Sequence, residues 1–297
     1  MSAGQEIGSQ HAAAPSPVVL ITGSSSGIGR ATAISFARKG WRVFASMRHP
    51  ETAADLRDEA AHQGWALTTP QLDVNDDASV TDAVGAALGE TQGRLDVVIN
   101  NAGFYTFGPL EETSPDELRA QLETNVVGVH RVTRAVLPAM RARRDGAIVT
   151  LGSISGRVAV PIAGPYHASK WALEGMVETL RYELLPFGIR VTLIEPGPFR
   201  TALHHKEVQA LASQRPDSPY ASLLAAYKHQ AMKMHRAELD EVVEVIYRAA
   251  THPDPGLRWP VGPTSFSAGR LRAFCPDRLY EWVLRIGFPI RTSSSGG

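Results

Sequence analysis

Tyr166 and Lys170 lie four residues apart in PYHASKWALEGM, a run of helix-forming residues that begins at a turn. On a helix this spacing places both side chains on one face, one turn apart. A free phenol has a pKa of about 10, and a cation one turn away should lower it. The pair therefore predicts an acid/base group that gives a proton to a carbonyl oxygen or takes one from an alcohol. The alternative is an exposed helical pair without chemistry.

Short apolar runs alternate with amphipathic segments along most of the chain. The predicted strands are PVVLITG (17–23), WRVFASM (41–47), ALTTPQLDV (66–74), LDVVINNAG (95–103), GAIVTLGS (146–153), IRVTLIEPG (189–197) and the short RWPVG (258–262). Helices are predicted between them, most clearly over 114–141, 166–185 and 238–251. Unbroken β-branched runs suit strands that are buried on both faces. The sequence thus predicts a single doubly wound, Rossmann-type α/β domain with a parallel sheet of about seven strands flanked by helices.

A glycine-rich turn, TGSSSGIGR, follows the first predicted strand. Glycines let a backbone approach a pyrophosphate closely, and the N-terminus of the following helix favours its negative charge. Serine hydroxyls in the turn add donors. The candidate cofactor contacts here are Gly23, Ser25, Ser26, Gly27, Ile28 and Gly29. The alternative is an ordinary strand-to-helix turn.

The end of the second strand should meet the adenosine ribose of a dinucleotide. It reads ASMRHP and carries Arg48, whereas an NAD-binding site has an acid there. A guanidinium can bind a 2′-phosphate through two hydrogen bonds, so Arg48 predicts NADP(H). A solvated arginine is the alternative, and Glu51 keeps NAD open.

Two further strand ends carry polar or small residues at the predicted ligand edge, where ligands of such folds bind. QLDV ends the third strand with Asp73 and Val74, and NNAG ends the fourth with Asn101, Ala102 and Gly103. Asp73 is a candidate acceptor for the adenine amino group, and Ala102 and Gly103 leave room for the cofactor. Each motif could instead be an Asx turn or a tight loop.

Taken together, these motifs resemble the classical short-chain dehydrogenase/reductase family. Its T-G-x-x-x-G-x-G appears as TGSSSGIG, its N-N-A-G as NNAG, its serine as Ser153 in TLGS, and its Y-x-x-x-K as YHASK. Its P-G motif is EPGPFRT, and the asparagine of its long fourth helix is Asn125 in ETNVVG. The motifs occur in the family's order over roughly residues 17–201.

The resemblance implies a role for each matching position. Tyr166 would be the acid/base, with Ser153 bound to the same substrate oxygen, and Lys170 would tune the phenol and hold the nicotinamide ribose. Asn125 would hold a water that relays protons to Lys170. Pro196, Gly197 and Thr201 would line the nicotinamide side of the NADP(H) site.

YHASKWALEG, VFASMR and LLPFGIRVTLIEPGP are more closely similar to the subgroup of 17β-hydroxysteroid dehydrogenase type 1 and its retinol-dehydrogenase-like relatives. That subgroup prefers NADP and acts on bulky, apolar alcohols and ketones. The resemblance also implies a helical substrate lid over about 198–237. We therefore expect Tyr105, Phe107 and Phe199 to contact the substrate together with Ser153 and Tyr166, although core packing explains these aromatic residues equally well.

Composition and charge exclude several other classes. Lys and Arg total 30, as do Asp and Glu, so the basic footprint of a nucleic-acid-binding protein is absent. Cys275 is the only cysteine, which excludes an intrachain disulfide. Residues 1–16 lack the pattern of a secretory signal, and both they and 291–297 are predicted to be disordered tails around a domain at 17–290. The histidines lack metal-ligand spacing, so no metal is expected. A cytoplasmic protein without membrane insertion is predicted.

The C-terminal run DRLYEWVLRIGF is amphipathic, with Leu279, Trp282, Val283 and Ile286 at helical spacing. We expect this face to pack on its own domain or on a sister subunit, with docking on a membrane surface as the alternative. The family resemblance implies a homodimer or homotetramer paired through the helices at 114–141 and 166–185.

The function predicted from the sequence is an NADP(H)-dependent oxidoreductase that interconverts a secondary alcohol and a ketone. An epimerase or dehydratase of the family's extended branch would have a differently spaced glycine turn. A non-catalytic NADP-binding sensor or scaffold is the other alternative. Such a protein should have lost a catalytic residue, and Asn125, Ser153, Tyr166 and Lys170 are all present.

Overall fold

The computed structural model describes residues 15–198, 207–233, 238–288 and 290. Several parts of the sequence-based prediction lie outside these ranges: most of the N-terminal tail, the C-terminal tail at 291–297, and residues 199–206 and 234–237 of the predicted lid, which include the site residues Phe199 and Thr201.

The main sheet of the described chain has seven strands in the order β3-β2-β1-β4-β6-β7-β9, and every neighbouring pair is parallel. The strands are β1 (Val18–Ile21), β2 (Arg42–Ala45), β3 (Leu67–Thr68), β4 (Val97–Asn100), β6 (Gly146–Leu151), β7 (Ile189–Pro196) and β9 (Arg258–Val261), and a separate pair consists of β5 (Tyr105–Phe107) and β8 (Glu207–Gln209). This confirms the seven-stranded parallel sheet. Its order reverses beside β1, so the ligand crevice lies at the carboxyl ends of β1 and β4.

Helices cover both faces of the sheet. They are α1 (Gly27–Arg38), α2 (Ala54–Gln63), α3 (Asp77–Glu90), α4 (Pro115–Leu122), α5 (Gly128–Arg143), α6 (Gly164–Leu184), α7 (Ala221–Lys233), α8 (Leu239–Thr251), α9 (Pro263–Phe274) and α10 (Asp277–Gly287). Phe36 and Ile246 belong to the core on the α1 and α8 side, whereas Val132 and Met140 belong to the core on the α3 and α5 side. The doubly wound α/β fold is therefore confirmed.

Two elements differ from the sequence-based expectation. The third strand, predicted over 66–74, contains only Leu67–Thr68 and an isolated bridge between Met47 and Gln71, because Pro70 has no N–H to give to the ladder. The small parallel pair of β5 and β8 was not predicted. Its strands have three residues each, too few to show a periodic pattern.

The long helix predicted over 114–141 is interrupted. Residues Glu123–Val127 form a turn of π-helix between α4 and α5. Such a turn widens the backbone locally and re-aims its side chains, and it is frequent at functional sites. Here it carries Asn125, whose side chain is buried.

The apolar face of α10 does not pack on its own domain, which was one of the two placements expected for it. Leu279, Trp282, Val283 and Ile286 remain 49–67% exposed. The helix is instead attached by a neighbouring side, where the Tyr280 hydroxyl donates to the Ala159 carbonyl oxygen at 2.7 Å.

Candidate active site

The carboxyl edge of β6 and the first turn of α6 bring the predicted catalytic residues together. Ser153 follows β6, and Tyr166 and Lys170 lie in the first two turns of α6, which opens with Gly164 and Pro165. Proline is suited to a first helical turn because that turn needs no N–H there. Ser153 Oγ accepts from the Ser155 N–H at 3.1 Å, and its hydroxyl is close enough to the Tyr166 phenol to lower the pKa of that phenol. The two hydroxyls lie side by side, where a carbonyl oxygen could accept from both.

Burial, rather than the neighbouring lysine, dominates the protonation of the phenol. It raises the pKa of Tyr166 to about 12, and the hydrogen bond from Ser153 offsets this only in part. Burial also lowers the pKa of Lys170 to about 8. Without a cofactor the pKa of Tyr166 is thus raised overall, and the role of Lys170 in lowering it stays a prediction. An apolar site favours the neutral forms of the phenol and of the amine. This effect outweighs the attraction between a phenolate and an ammonium.

Lys170 points beneath the phenol instead of pairing with it. Its Nζ donates to the Leu151 carbonyl oxygen at 2.7 Å and lies 5.5 Å from the centroid of the Tyr166 ring. The side chain is only 8% exposed. A buried ammonium held in this way is a fixed positive charge close to the reacting hydroxyl.

Asn125 ties the π-turn to the loop after β4. Its Oδ1 accepts from the Phe104 N–H at 3.1 Å, and its Nδ2 donates to the Phe104 carbonyl oxygen at 3.1 Å and to Ser169 Oγ at 3.2 Å. Ser169 Oγ in turn donates to the Tyr166 carbonyl oxygen at 2.7 Å. Both ends of the Asn125 amide therefore have protein partners, which fix the β4 loop against the helix that carries Tyr166.

The glycine turn and the NNAG loop pack directly on each other. Asn101 Nδ2 donates to the carbonyl oxygens of Thr22 and Gly23, and Thr22 Oγ1 accepts from the N–H groups of Asn101 and Ala102, each at 3.0 Å. Gly23 has a φ of +71°, and a Cβ there would lie 2.8 Å from Ala102 Cα. Gly23 is thus required both by its conformation and by the close approach of the two loops.

The geometry around α1 fits a bound pyrophosphate. Ser26 caps the helix without a side-chain hydrogen bond, and the first turn contains no acidic residue. Gly27 has a φ of +58°, and Ser25 is exposed beside it. An uncapped helix start with its N–H groups available favours a negatively charged ligand. Ile28 packs on the core behind the turn.

Arg48 is exposed just beyond β2 and forms no ion pair with any described residue. Glu51 accepts from His49, with its Oε1 3.1 Å from Nδ1. Asp73 Oδ1 accepts from the Asn75 N–H at 3.0 Å, so the Asx turn considered for this residue is present.

The remaining predicted cofactor residues are packed small or apolar groups. Val74 is buried against Gly128, and a Cβ on Gly103 would lie 3.1 Å from Asn125 Oδ1. Pro196 ends β7, and Gly197 donates to the Val261 carbonyl oxygen at 3.0 Å. These contacts place the loop after β4 and the end of β7 at the same carboxyl edge of the sheet as Ser153.

Aromatic rings surround one side of Tyr166. The Tyr105 ring meets the Tyr166 ring edge-on, with centroids 4.5 Å apart, and stacks on Phe107. Tyr227, from α7, stacks on Phe107, and its hydroxyl meets that of Tyr105. Sequence reasoning missed Tyr227, because AAYKHQ has no motif and only the fold brings α7 to the site.

His167, the residue after Tyr166, also escaped sequence reasoning. It is 6% exposed, accepts from the Val160 N–H at Nε2 (3.1 Å), and contacts the Ser155 carbonyl oxygen through Nδ1 at 2.9 Å. Since Nε2 accepts, Nδ1 carries the proton and the ring is neutral. The ring therefore fixes the loop that follows Ser153.

We expect protonation of His167 to weaken the fold at mildly acidic pH. Burial lowers its pKa below the ordinary 6.5, so the unfolded chain binds more protons and the contribution present above pH 6.5 is lost as pH falls through the folded pKa. The measurement is the free energy of unfolding of wild type and His167→Asn between about pH 7.5 and pH 5.5. The advantage of the wild type should shrink with falling pH; a constant advantage would contradict this account.

Wild type must be compared with His167→Asn because Glu195 changes the free energy of unfolding with pH in the opposite direction to His167. Burial, with the nearby Glu174 carboxylate, raises the pKa of Glu195 to about 7. A raised carboxyl pKa stabilises the fold as pH falls. Glu195 is common to both proteins and cancels in the difference.

The part of the chain that the structure describes contains no helix long and apolar enough to cross a bilayer. Within the same ranges, no three potential ligand side chains converge as a metal site would require.

Comparison with known proteins agrees with the motifs and the fold. The family described as short chain dehydrogenase matches residues 17–212. A 3-ketodihydrosphingosine reductase of Bacteroides thetaiotaomicron is 35% identical over 92% of this chain and 98% of that protein. Human 17-beta-hydroxysteroid dehydrogenase type 1 is 38% identical over 82% of this chain and 76% of that protein.

Solved structures give the same result. A short-chain dehydrogenase from Streptomyces avermitilis has a TM-score of 0.78 and 33% identity, covering 91% of this chain and 97% of its own. A Burkholderia phymatum member in complex with NAD has a TM-score of 0.76 and 28% identity, covering 87% and 93%. A Burkholderia cenocepacia member in complex with NADP has a TM-score of 0.70 and 26% identity, covering 90% and 96%. The chain belongs to the short-chain dehydrogenase family, and it is an oxidoreductase of alcohol and ketone substrates that uses a nicotinamide cofactor.

Proposed function

We propose that the protein is an NADP(H)-dependent enzyme that interconverts a secondary alcohol and a ketone on a bulky, apolar substrate. The observation that carries this proposal is the pair of hydroxyls of the buried Ser153 and the partly buried Tyr166 at the carboxyl edge of the sheet, beside the buried ammonium of Lys170. The glycine turn lies at the same edge, where such folds bind dinucleotides.

In the reductive direction, the Tyr166 hydroxyl gives its proton to the carbonyl oxygen. The Ser153 hydroxyl holds the same oxygen and polarises the carbonyl as negative charge develops. When bound, the nicotinamide cofactor supplies the hydride that the carbonyl carbon accepts. A pKa of about 12 keeps Tyr166 protonated at neutral pH, which suits a proton donor. In the reverse direction the buried ammonium of Lys170 stabilises the phenolate that must take the alcohol proton.

Preference for the phosphorylated cofactor rests on Arg48. Its guanidinium is exposed at the end of β2 and forms no ion pair with a described residue, whereas Glu51 is engaged by His49 and Arg30 by Asp55. An available guanidinium at the ribose suits a 2′-phosphate, and a free acid would have suited a 2′-hydroxyl. Family members bind either nucleotide, so we assign NADP(H) on this residue alone.

A bulky, apolar substrate is supported by the aromatic lining. Tyr105, Phe107 and Tyr227 form a hydrophobic cluster with Ile162 and Leu224 next to Tyr166. Apolar pockets with few polar groups select apolar ligands. The two relatives are named for a sphingoid ketone and a hydroxysteroid, and we extend that class of substrate to this chain.

Initial-rate oxidation of NADPH across ketosteroids, retinal, aliphatic ketones and β-keto esters tests the proposal. We expect reduction of at least one bulky ketone, with NADPH preferred to NADH. Failure to reduce any member of the panel would contradict the alcohol/ketone assignment, and equal rates with NADH would contradict the cofactor assignment.

Arg48→Ala isolates the cofactor preference. Loss of a charge-assisted contact costs about 1.5–3 kcal/mol, so kcat/KM for NADPH should fall by about 10- to 150-fold while that for NADH is unchanged. Arg38→Ala is the matched control, since Arg38 is also an exposed arginine but lies at the far end of α1. A uniform loss with both cofactors would show that Arg48 is not bound to the 2′-phosphate.

Domain boundaries and assembly stay predictions. We propose one domain over 17–290, with the region around α7 acting as the substrate lid. We also propose a homodimer or homotetramer paired through α5 and α6. Exposed aromatic side chains on α6, Trp171 at 50% and Tyr182 at 61%, support that surface.

A further inference from the structure

The last two described helices, α9 and α10, carry several large apolar side chains that are about half exposed or more. Leu279, Trp282, Val283 and Ile286 recur at the i, i+3, i+4, i+7 spacing of one helical face, and we call these four residues the C-terminal apolar face. They are 50%, 59%, 49% and 67% exposed. On α9, Leu271 and Phe274 are 71% and 89% exposed. An apolar group of this kind usually marks an interaction site.

The orientation of α10 is fixed by polar contacts on another side of the helix. Tyr280 donates through its hydroxyl to the Ala159 carbonyl oxygen, and Gln230 donates from α7 to the Gly287 carbonyl oxygen. Phe288, directly after the helix, is buried. The apolar face therefore points outward while the helix remains attached to the domain.

Positive charge accompanies the apolar face. Residues 263–290 contain four arginines and two acids, a net charge of +2 in a chain whose formal net charge is zero. Both acids are paired, Asp277 with Arg272 and Glu281 with Arg285. Arg270 and Arg278 form no ion pair with any described residue. Arg278 lies one helical turn before Trp282, so a free cation borders the apolar face.

We propose that the C-terminal apolar face docks the protein on an anionic lipid bilayer surface. Apolar and tryptophan side chains on one face of a helix, bordered by arginines, are the composition of helices that lie in the plane of a membrane interface. The interface accommodates α10 without insertion, because its 11 residues span about 16 Å and the hydrocarbon core is about 30 Å thick.

A second copy of the chain fits this face less well. A symmetric contact would place the same patch of each copy against the other. Arg270 and Arg278, which have no ion-pair partner among the described residues, would then border the contact on both copies, and like charges at an interface disfavour association. Lipid phosphates supply the opposite charge instead.

Co-sedimentation with vesicles tests the proposal directly. Wild type should bind vesicles of phosphatidylcholine and phosphatidylglycerol and bind pure phosphatidylcholine vesicles at least about 10-fold more weakly, since each arginine near an anionic surface contributes about 5-fold. High salt should weaken the binding. Val283→Asp/Ile286→Asp should abolish binding to both vesicles, and Arg270→Gln/Arg278→Gln should lose about 25-fold on the anionic vesicles only.

Leu211→Asp is the matched control, because Leu211 is 75% exposed but lies outside the C-terminal helices. It should bind vesicles as wild type does. All variants should keep the wild-type unfolding midpoint, and the two variants of the C-terminal helices should also keep, without vesicles, the wild-type rate on a water-soluble ketone, so vesicle binding is measured separately from catalysis. Binding unaffected by the α10 variant, or no binding by wild type, would overturn the proposal. A third outcome would also overturn it: light scattering shows that the α10 variant has lost a subunit contact, and the wild type does not bind vesicles.

Discussion

Tyr166→Phe is expected to lower kcat for ketone reduction by about 10²- to 10⁴-fold, the contribution typical of a positioned proton donor. The substitution removes one oxygen and keeps the ring, so the edge-on contact with Tyr105 should persist. The affinity for NADPH should stay within a few-fold of wild type, because the glycine turn is unchanged. Stopped-flow or initial-rate kinetics together with NADPH fluorescence titration measure both quantities.

Tyr182→Phe provides the control for this loss. Tyr182 lies on the same helix but is 61% exposed, so its hydroxyl takes no part in the buried site. We expect wild-type kinetics. If Tyr166→Phe also turned over normally, the phenol would not be the proton donor. If wild type bound NADPH but reduced no substrate, and Tyr166→Phe kept the same binding, a non-catalytic sensor or scaffold would be the better description.

Gly29→Ala is expected to be the second large effect, although alanine usually stabilises a helix. An added Cβ would lie 2.4 Å from Asn101 Nδ2 and 2.6 Å from the Gly23 carbonyl oxygen. The second contact is with the backbone of the glycine turn itself, so the start of α1 must move away from Gly23 and from the Asn101 side chain. Overpacking of this kind costs about 1–3 kcal/mol. We expect a lower free energy of unfolding and a rise of about 5- to 150-fold in the Kd of NADPH, measured by denaturant titration and fluorescence.

Gly85→Ala separates the packing effect from helix propensity. Gly85 lies inside α3, and a Cβ there would meet nothing within 4 Å. Replacing it should therefore stabilise the protein by about 0.5–1 kcal/mol and leave the Kd of NADPH unchanged. The account of Gly29 would be wrong if its alanine variant behaved like that of Gly85.

The two predictions divide the site into its two halves. Tyr166 concerns the proton and Gly29 concerns the nucleotide, and each variant should leave the other half largely intact. Tyr166→Phe should lower kcat without changing the affinity for the cofactor. Gly29→Ala should lower that affinity with a smaller change in kcat. This pair of results would show that the two halves of the site act independently.

Much of the fold was predictable because its signals are local. Buried strands such as β4 and β6 are continuous β-branched or aliphatic runs, and the glycine turn and NNAG stand directly at strand ends. Parallel strands then bring these ends to one edge whatever lies between them. The same reasoning predicts from the sequence alone that Ser153, Tyr166 and Lys170 lie near each other.

The local signals failed where the backbone departs from a regular period. The π-turn at Glu123–Val127 has no composition of its own, and the pairing of β5 with β8 joins three-residue segments about 100 positions apart. Neither the π-turn nor this strand pairing follows from the helix or strand propensity of its residues. Both are stabilised by contacts such as those of Asn125 with Phe104, which form only when the segments meet.

The sequence by itself determined which chemistry is available: a phenol, an ammonium and a hydroxyl at family spacing, behind a glycine turn that can receive a dinucleotide. Only the tertiary structure decided how strongly that phenol holds its proton. Tyr105 and Tyr227 come to Tyr166 from 61 residues away on either side, and burial among these rings raises its pKa where a neighbouring lysine alone would lower it. Desolvation is a sum over everything packed around a group, so four residues of helix cannot specify it.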